Sequence, residues 1–169
     1  MQTIYWEIIH TPWGKSFVAA TDKAIVRLTL PGKSERKEFG PLKKDRSVEL
    51  VRKQTPLIEQ AGRQIIEYFT GKRQAFDLPL DLRGTDFQKK VWRTLLRIPY
   101  GKQWSYHDVA KAIGKPKATR AVGLANNANP IPIVVPCHRV IGKDGSLVGY
   151  GGGLPLKTRL LALESGSTS

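Results

Sequence analysis

The sequence predicts an α+β protein of two domains, a small α/β domain over residues 1–83 and a mostly helical domain over residues 84–165. Two patterns support this division. Apolar and polar residues alternate near the N-terminus, as in half-buried strands, whereas the second half places apolar residues at helical spacing. A chain of 169 residues, 40% of them hydrophobic, is long enough to bury a core and to form one domain or two small ones.

Residues 2–30 predict a three-stranded meander. They are rich in Ile, Val, Thr and aromatic residues, and turn signals interrupt them at residues 11–14 and 21–23. The next segment, residues 31–47, is polar, basic and broken by Gly and Pro. We therefore expect a solvated connection there, without secondary structure.

One helix is predicted to follow, with Pro56 near its start and Gly71 as its C-terminal stop, and to pack on the meander. Its buried side is marked by apolar residues at helical spacing: Leu57, Ile58, Ala61, Ile65, Ile66 and Phe69. Residues 76–82 alternate but contain Pro79, which would remove a ladder hydrogen bond from a central strand. They predict an edge strand or an extended linker, with the domain boundary just after it.

The second domain is predicted to begin with a helix that starts near Thr85 and stops before Pro99. A capping-box pattern at residues 105–108 opens a short helix, and Gly114 ends it. A second short helix follows over residues 117–126. Two short helices joined by a tight turn that contains Gly are typical of a helix-turn-helix, an element that binds nucleic acid.

The second of these helices is unusual for a reader of base edges. Its cations are Lys117 and Arg120, and its remaining face is small and apolar: Ala118, Ala121, Val122, Gly123 and Ala125. Few of these side chains could reach base edges for bidentate hydrogen bonds. Small residues allow a close approach, either to a neighbouring helix or to a narrow groove of DNA, and the sequence leaves both open.

The charge of the chain points to a polyanionic partner. Lys and Arg number 28 against 14 Asp and Glu, a net charge of +14. Because no apolar run approaches the length of a membrane span and no signal-peptide core is seen, we expect a soluble, cytoplasmic protein, nuclear if the source is eukaryotic, that binds nucleic acid. A single cysteine and three dispersed histidines predict no disulfide, no metal site and no cofactor.

Cys137 lies in an unusual setting. The preceding residues 129–136 predict a rigid, proline-flanked apolar strand, which is followed by an abrupt polar turn. His138 and Arg139 place a titratable base and a fixed positive charge beside the sulfur, and both would favour the nucleophilic thiolate. Because neighbouring residues of an extended chain point to opposite faces, His138 would act on Cys137 through a water or a sharp bend.

Two features of the C-terminal region suggest a site around this cysteine. Glu164 ends a helix predicted over residues 155–163, where a carboxylate opposes the helix dipole. It could polarise His138 in a relay, or it could be a solvated charge at the end of a helix. The glycine-rich run 149–153 could form a lid whose Tyr150 stacks on a ligand. Residues 166–169 predict a flexible tail.

The segment Pro136–Val140 resembles the active-site segment of the O6-alkylguanine-DNA alkyltransferases. Further matches in family order are Phe87-Gln88, Val91-Trp92, Ile98-Pro99, Gly101, Ser105-Tyr106, Arg120–Gly123, Asn129-Pro130, Gly149-Tyr150 and Glu164. The resemblance is specific from about Gly84 to Glu164 and loose over residues 1–80. It implies a ribonuclease H-like N-terminal domain and a winged helix-turn-helix C-terminal domain.

The resemblance also implies roles for individual residues. Cys137 would accept the alkyl group, His138 would be its base through water, Glu164 would orient that histidine, and Asn129 would brace the turn. Tyr106 would donate a proton or hydrogen bond to the departing guanine. The remaining candidates would contact the flipped base or double-stranded DNA along the minor groove: Arg120, Tyr150, Gly151, Val140, Arg139, Lys117, Ala121 and Gly123.

Under this interpretation the protein acts once, as a monomer, and whether it binds DNA cooperatively is left open. Gly151 stands where some relatives have a serine, and the N-terminal domain lacks the cysteines of the zinc site that some relatives carry. Two other functions remain open at this point. One is a DNA-binding regulator or damage-recognition module with a silent Cys137, and the other is a cysteine hydrolase that turns over.

Overall fold

The structure, a computed structural model, describes residues 1–146, 150 and 153–166, with the side chain of Arg36 left out. Two compact units follow each other along the chain, the first from Met1 to Asp81 and the second from Leu82 onward. The first unit contains a sheet and helices, and the second is mostly helical. The predicted α+β class is confirmed. None of the helices in the described part of the chain has both the length and the apolar character that a membrane span needs.

A four-stranded sheet forms the first unit. Strands β1 (Gln2–Thr11), β2 (Gly14–Ala20) and β3 (Ile25–Leu28) form the predicted antiparallel meander. Strand β4 (Val48–Arg52), which the sequence did not predict, pairs in parallel with β1 and gives the order β3-β2-β1-β4.

The expectation of an unstructured connection over residues 31–47 is wrong. This segment contains two short helices, α1 (Glu35–Glu38) and α2 (Gly40–Lys44). Phe39 lies between them with no exposed surface and packs in a cluster with Ile4, Ala19 and Val26 of the sheet. Burying one aromatic ring outweighed the polar composition around it, because a side chain of this size removes a large apolar area from water.

The predicted helix of the first unit is confirmed as α3 (Pro56–Phe69), which packs on β1 and β2, but Ile66, expected on its buried side, is 38% exposed. The side chain of Thr55 caps it by accepting from the backbone of Ile58, and Gly71 follows its end in the left-handed conformation, at φ 76°. The exit from the unit is extended. Leu80 forms an isolated parallel bridge with Ile25, as an edge segment that contains a proline allows.

The second unit contains the predicted series of helices and a small sheet. Its elements are α4 (Asp86–Leu95), β5 (Trp104–Ser105), α5 (Tyr106–Ala112), α6 (Thr119–Asn127), a 3-10 helix (Cys137–Arg139), β6 (Val140–Ile141) and α7 (Leu154–Glu164). Thr85 with Gln88, and Ser105 with Asp108, form complete capping boxes at the starts of α4 and α5. Trp92 of α4 fixes the helix packing by donating its indole N–H to the carbonyl of Ala125, at 2.8 Å.

Two predictions about local structure in this unit need correction. Helix α6 begins at Thr119 rather than at Lys117, and Lys117 lies in the turn before it. Residues 129–136 do not form the predicted apolar strand but a compact turn, in which Pro132 and Val135 form an isolated bridge. Prolines exclude ladder hydrogen bonds, and the segment is buried without pairing as a strand.

Candidate active site

Cys137 opens the 3-10 helix, and its setting depends on the turn before it. The backbone N–H of Cys137 donates to the carbonyl of Val135 at 2.8 Å, so the chain is tightly curled at the thiol rather than extended. The argument that residues 137 and 138 point to opposite faces of an extended chain therefore does not apply. Cys137 is buried, with 5% of its surface exposed.

Asn129 braces this turn from both sides. Its amide nitrogen donates to the carbonyl of Val135 at 2.7 Å, and its amide oxygen accepts from the backbone of Ile131 at 2.9 Å. The turn stores strain, because Ile133 adopts a positive φ of 76°, an outlier for a β-branched residue. A hydrogen bond between Asn129 and the thiol of Cys137 also lowers the pKa of that thiol. Asn129 thus holds both the turn and the sulfur.

His138, Arg139 and Glu164 form a buried ionic cluster behind the cysteine. The Nε2 atom of His138 lies 2.7 Å from Oε2 of Glu164. The guanidinium of Arg139 donates from Nε to Oε1 at 2.7 Å and from Nη2 to Oε2 at 3.0 Å. All three residues are buried, with exposures of 0%, 6% and 5%. The interpretation of Glu164 as a solvated charge at the end of a helix is therefore wrong.

Arg139 does not have the position that the sequence suggested. Its guanidinium is held by Glu164 and by the carbonyl of Ile98, which accepts from Nη1 at 2.7 Å. A buried guanidinium held by these two partners is not exposed at the surface of the unit, so the thiolate-stabilising and DNA-contacting roles of Arg139 stay predictions.

Burial dominates the protonation of the thiol and the imidazole. It raises the pKa of Cys137 to about 11, against smaller lowering effects from a hydrogen bond with Asn129 and the positive charge of Lys157. It also lowers the pKa of His138, although Glu164 opposes this. In this unliganded state the sulfur is a neutral thiol and the imidazole a neutral base, contrary to the predicted thiolate.

Glu164 remains ionised in this setting. Burial acts to raise its pKa, but the hydrogen bonds from His138 and Arg139 outweigh burial and lower it to about 2. A carboxylate that accepts from Nε2 fixes the tautomer of the neutral imidazole, so Nδ1 is its basic nitrogen. The cluster can therefore take up a proton at Nδ1 and stabilise the resulting imidazolium.

Lys157 is a functional candidate that the sequence interpretation missed. It lies on α7 with no exposed surface, donates from Nζ to the carbonyl of Val140 at 2.6 Å, and holds Nζ 5.9 Å from the ring centre of Tyr150. Burial lowers its pKa, while the nearby Cys137 raises it. Lysine is rarely fully buried. Nothing in the local sequence marks this one, because the residues that enclose it come from distant segments.

The two tyrosines named from the sequence both lie beside the cysteine. Parallel pairing of Trp104 with Val140 brings the start of α5, and with it Tyr106, next to the 3-10 helix. Burial raises the pKa of Tyr106, and so does the nearby sulfur of Cys137. Tyr150 is half-buried, and a hydrogen bond from it lowers the pKa of Cys137. Val140 is buried beneath them, and Gly151 falls outside the described residues.

Asn126 is a second residue that the sequence did not single out. It is 1% exposed on α6 and donates from its amide nitrogen to the carbonyl of Cys137 at 3.3 Å. A hydrogen bond with Asn126 also lowers the pKa of Tyr106. Because one amide interacts with both residues, α6 is coupled to the cysteine turn. Within the described residues, no group of three His, Cys, Asp or Glu side chains could hold a metal ion.

Comparison with known proteins identifies the family. Residues 4–82 match a family model described as the ribonuclease-like domain of 6-O-methylguanine DNA methyltransferase, and residues 86–166 match one described as its DNA-binding domain. The chain belongs to the 6-O-methylguanine-DNA methyltransferase family. The two models also agree with the predicted ribonuclease-like character of the first domain and with the DNA binding predicted for the second.

Individual members of the methyltransferase family are similar over nearly the whole chain. A methylated-DNA--protein-cysteine methyltransferase of Methanosarcina barkeri is 44% identical over 95% of this chain and 97% of its own. The constitutive enzyme of that name from Bacillus subtilis is 45% identical over 95% of this chain and 94% of its own. A crystal structure of Mycobacterium tuberculosis OGT in complex with DNA has a TM-score of 0.82 and 41% identity, over 97% of this chain and 94% of that one.

The positive charge of the chain is concentrated in the unit that contains the matched DNA-binding domain. From Leu82 onward the chain has 14 Lys and Arg against 4 Asp and Glu, a net charge of +10, whereas residues 1–81 carry +4. On α6, Arg120 and Ala121 are exposed, while Val122 and Ala125 are buried. The small face predicted for this helix is therefore divided between residues that pack inward and residues at the surface, and the approach of its exposed part to a groove of DNA stays a prediction.

The start of α6 is also suited to phosphate. No side chain caps it, its first turn holds no acidic residue, and Lys117 and Arg120 are exposed on either side of its first residue. Gly123, in contrast, faces inward. A Cβ atom placed there would lie 3.7 Å from the ring of Tyr106, so this glycine belongs to the packing between α5 and α6.

Proposed function

We propose that this protein repairs DNA by direct reversal, transferring a methyl or other alkyl group from O6 of guanine to the sulfur of Cys137. The 2.7 Å contact between His138 and Glu164, directly behind the single cysteine, carries this proposal. It supplies an oriented base beside a nucleophile within the domain matched as DNA-binding. A single side chain that ends as a thioether makes the reaction stoichiometric, so each molecule acts once.

Activation of the sulfur is the first step. Because burial holds Cys137 as a thiol, its proton must leave as the alkyl carbon is attacked. The proton passes through a bridging water to Nδ1 of His138, and Glu164 stabilises the imidazolium through Nε2. The positive charge of Lys157 favours the developing thiolate.

Transfer then follows an SN2 course. A sulfur–carbon bond forms, the bond between that carbon and O6 breaks, and the electron pair of the broken bond passes to the guanine ring. Tyr106 donates a hydrogen bond or proton to the departing guanine, a role that suits a hydroxyl whose raised pKa keeps it protonated. Cellular thiols do not reverse a thioether as they reverse a disulfide, so the modified cysteine is permanent.

The guanine must leave the helix before it can react. O6 of a paired guanine lies inside the duplex, and flipping the nucleotide costs a few kcal/mol, less for a poorly paired damaged base. Tyr150 and Val140 line the base pocket, and Arg120 fills the gap left in the stack. Ala121 on α6 approaches the minor groove, Gly123 lets the helix pack closely, and Lys117 contacts phosphate, so affinity falls as salt rises.

We further propose that the protein acts as a monomer, without metal or cofactor, in the compartment that holds the DNA. That compartment is the cytoplasm of a prokaryotic cell or the nucleus of a eukaryotic one. Cooperative binding along DNA is compatible with this scheme but is not needed for it. The chemistry described above uses only side chains of this chain and the damaged base.

Intact-protein mass spectrometry tests the proposal. The protein is incubated with a duplex containing one O6-methylguanine, with Cys137→Ser as the matched control, and the repaired base is measured in the DNA. We expect a gain of one methyl group on the wild type alone, located on Cys137 by peptide mapping, with one unmodified guanine restored per methyl gained.

The same measurement separates the rival functions. Tight binding of the damaged duplex with no change in protein mass would support a damage-recognition module with a silent cysteine. Repair of several equivalents of damage by one equivalent of protein would indicate turnover, as a cysteine hydrolase would show, and would contradict the single-use scheme.

A further inference from the structure

Leu124 on α6 is an exposed residue that the scheme above does not use. Its exposed fraction is 69%, the largest for any big hydrophobic side chain of the described residues after the N-terminal Met1. Single exposed leucines are common on protein surfaces, so exposure alone identifies nothing. The position of Leu124 is the informative part, because it lies on the second helix of the helix-turn-helix.

Leu124 shares the exposed face of α6 with Arg120. The two residues are four apart, so they lie on the same side of the helix, about 6 Å from each other along its axis. Ala121 is also exposed there, while Val122 and Ala125 pack inward. Among the exposed positions of α6, only Leu124 has a large apolar side chain. It projects from the helix on the same side as the cation Arg120 and next to the small residue Ala121.

A minor groove accepts this combination of side chains. Proteins that bind there insert apolar side chains such as Leu between base steps, partly unstack them, and neutralise phosphates with Arg and Lys. A separation of about 6 Å is less than two base steps of B-form DNA, which rise about 3.4 Å each. The net charge of +10 carried by this unit favours a polyanion over an apolar protein partner.

We infer that Leu124 is a positioning residue, which packs into the minor groove one or two base steps from Arg120 and stabilises the duplex with its damaged nucleotide extruded. This inference rests on the proposed function. Arg120 fills the vacated place in the stack, and Leu124 covers the neighbouring step, so that the opened duplex does not close before transfer. Leu124 touches neither the reacting atoms nor Cys137.

The test compares Leu124→Ala and Leu124→Met with Leu96→Ala, which removes a 44% exposed leucine at the end of α4. Methyl transfer is timed with duplex O6-methylguanine and with the free O6-methylguanine base, which needs no flipping. We expect Leu124→Ala to slow the duplex reaction about 10-fold, as the loss of two buried methylene equivalents would, with the free-base rate unchanged. Leu124→Met should retain most of the duplex rate, because Met also serves as a wedge.

A second readout follows extrusion directly. With 2-aminopurine placed next to the lesion, unstacking raises its fluorescence when wild-type protein binds, and Leu124→Ala should reduce that rise while Leu96→Ala should not. Equal duplex rates for Leu124→Ala and wild type would overturn the inference, and so would equal slowing with duplex and free base. If the wild type gains no methyl from either substrate, the proposed function itself fails.

Discussion

Replacing Glu164 by Gln changes one atom and breaks the ionic cluster. One carboxylate oxygen accepts from Nε of Arg139, and the other accepts from Nη2 of Arg139 and faces Nε2 of His138. An amide has one oxygen, so in either orientation its NH₂ group faces a donor at 2.7–3.0 Å. The guanidinium is then buried without its counter-charge, which costs about 3–5 kcal/mol of unfolding free energy.

The effect on the reaction has a separate cause. Without the carboxylate, the imidazolium formed at His138 loses its partner, and the contribution of the general base is lost. Such a contribution is worth about 100-fold or more in rate. DNA affinity should change much less, because Glu164 is buried and its carboxylate is bound to His138 and Arg139 rather than exposed to a partner.

A double-mutant cycle that combines Glu164→Gln with Arg139→Met separates the effect on unfolding free energy from the effect on the rate of methyl transfer. The double variant Arg139→Met with Glu164→Gln removes both buried charges, so its unfolding free energy in urea should recover most of the loss seen in Glu164→Gln. Its single-turnover rate on damaged duplex should stay low, since the imidazolium still lacks a carboxylate. The relay assignment is refuted if the rate recovers together with stability, or if folded Glu164→Gln transfers methyl within about threefold of wild type.

Other regions of the molecule give further expectations. Lys157→Met should raise the pKa of Cys137 and slow methyl transfer, because the ammonium charge of Lys157 lowers that pKa in the wild type. The pKa is measured from thiolate absorbance as a function of pH, and an unchanged titration would contradict this expectation. Since the pKa of Glu164 falls from 4.5 to about 2 on folding, its stabilising effect is present above pH 4.5 and lost as pH falls toward 2, so urea unfolding should weaken over that range. Phe39→Ala should cost the first unit about 3–5 kcal/mol, measured by chemical denaturation, and a loss below 1 kcal/mol would show that the cluster repacks.

Features decided by neighbouring residues were predictable from the sequence. The capping boxes at Thr85 and Ser105 fixed the starts of α4 and α5, and glycines with positive φ follow the ends of α3 (Gly71) and α5 (Gly114). Alternation over residues 2–30 predicted the meander correctly, because period-two burial is a local signal.

Features decided by contacts between distant segments were not predictable. Strand β4 pairs with β1 across more than 40 residues, and the burial of Phe39 depends on that sheet. In the site, Glu164 meets His138 and Arg139 from about 25 residues away, so its burial could not be read from the end of its own helix. Lys157 was missed for the same reason, since a lysine is expected at the surface until its enclosure is seen.

The burial of Cys137 has a consequence for how long a molecule remains usable. With its pKa raised to about 11, only a very small fraction of the Cys137 side chains is thiolate near neutral pH. Small electrophiles and oxidants in the cell react with thiolates, and a protein that works once is lost whenever it meets one of them first. Because the sulfur is protonated and buried, unreacted molecules are protected from these reagents. They therefore remain available for damaged bases in DNA.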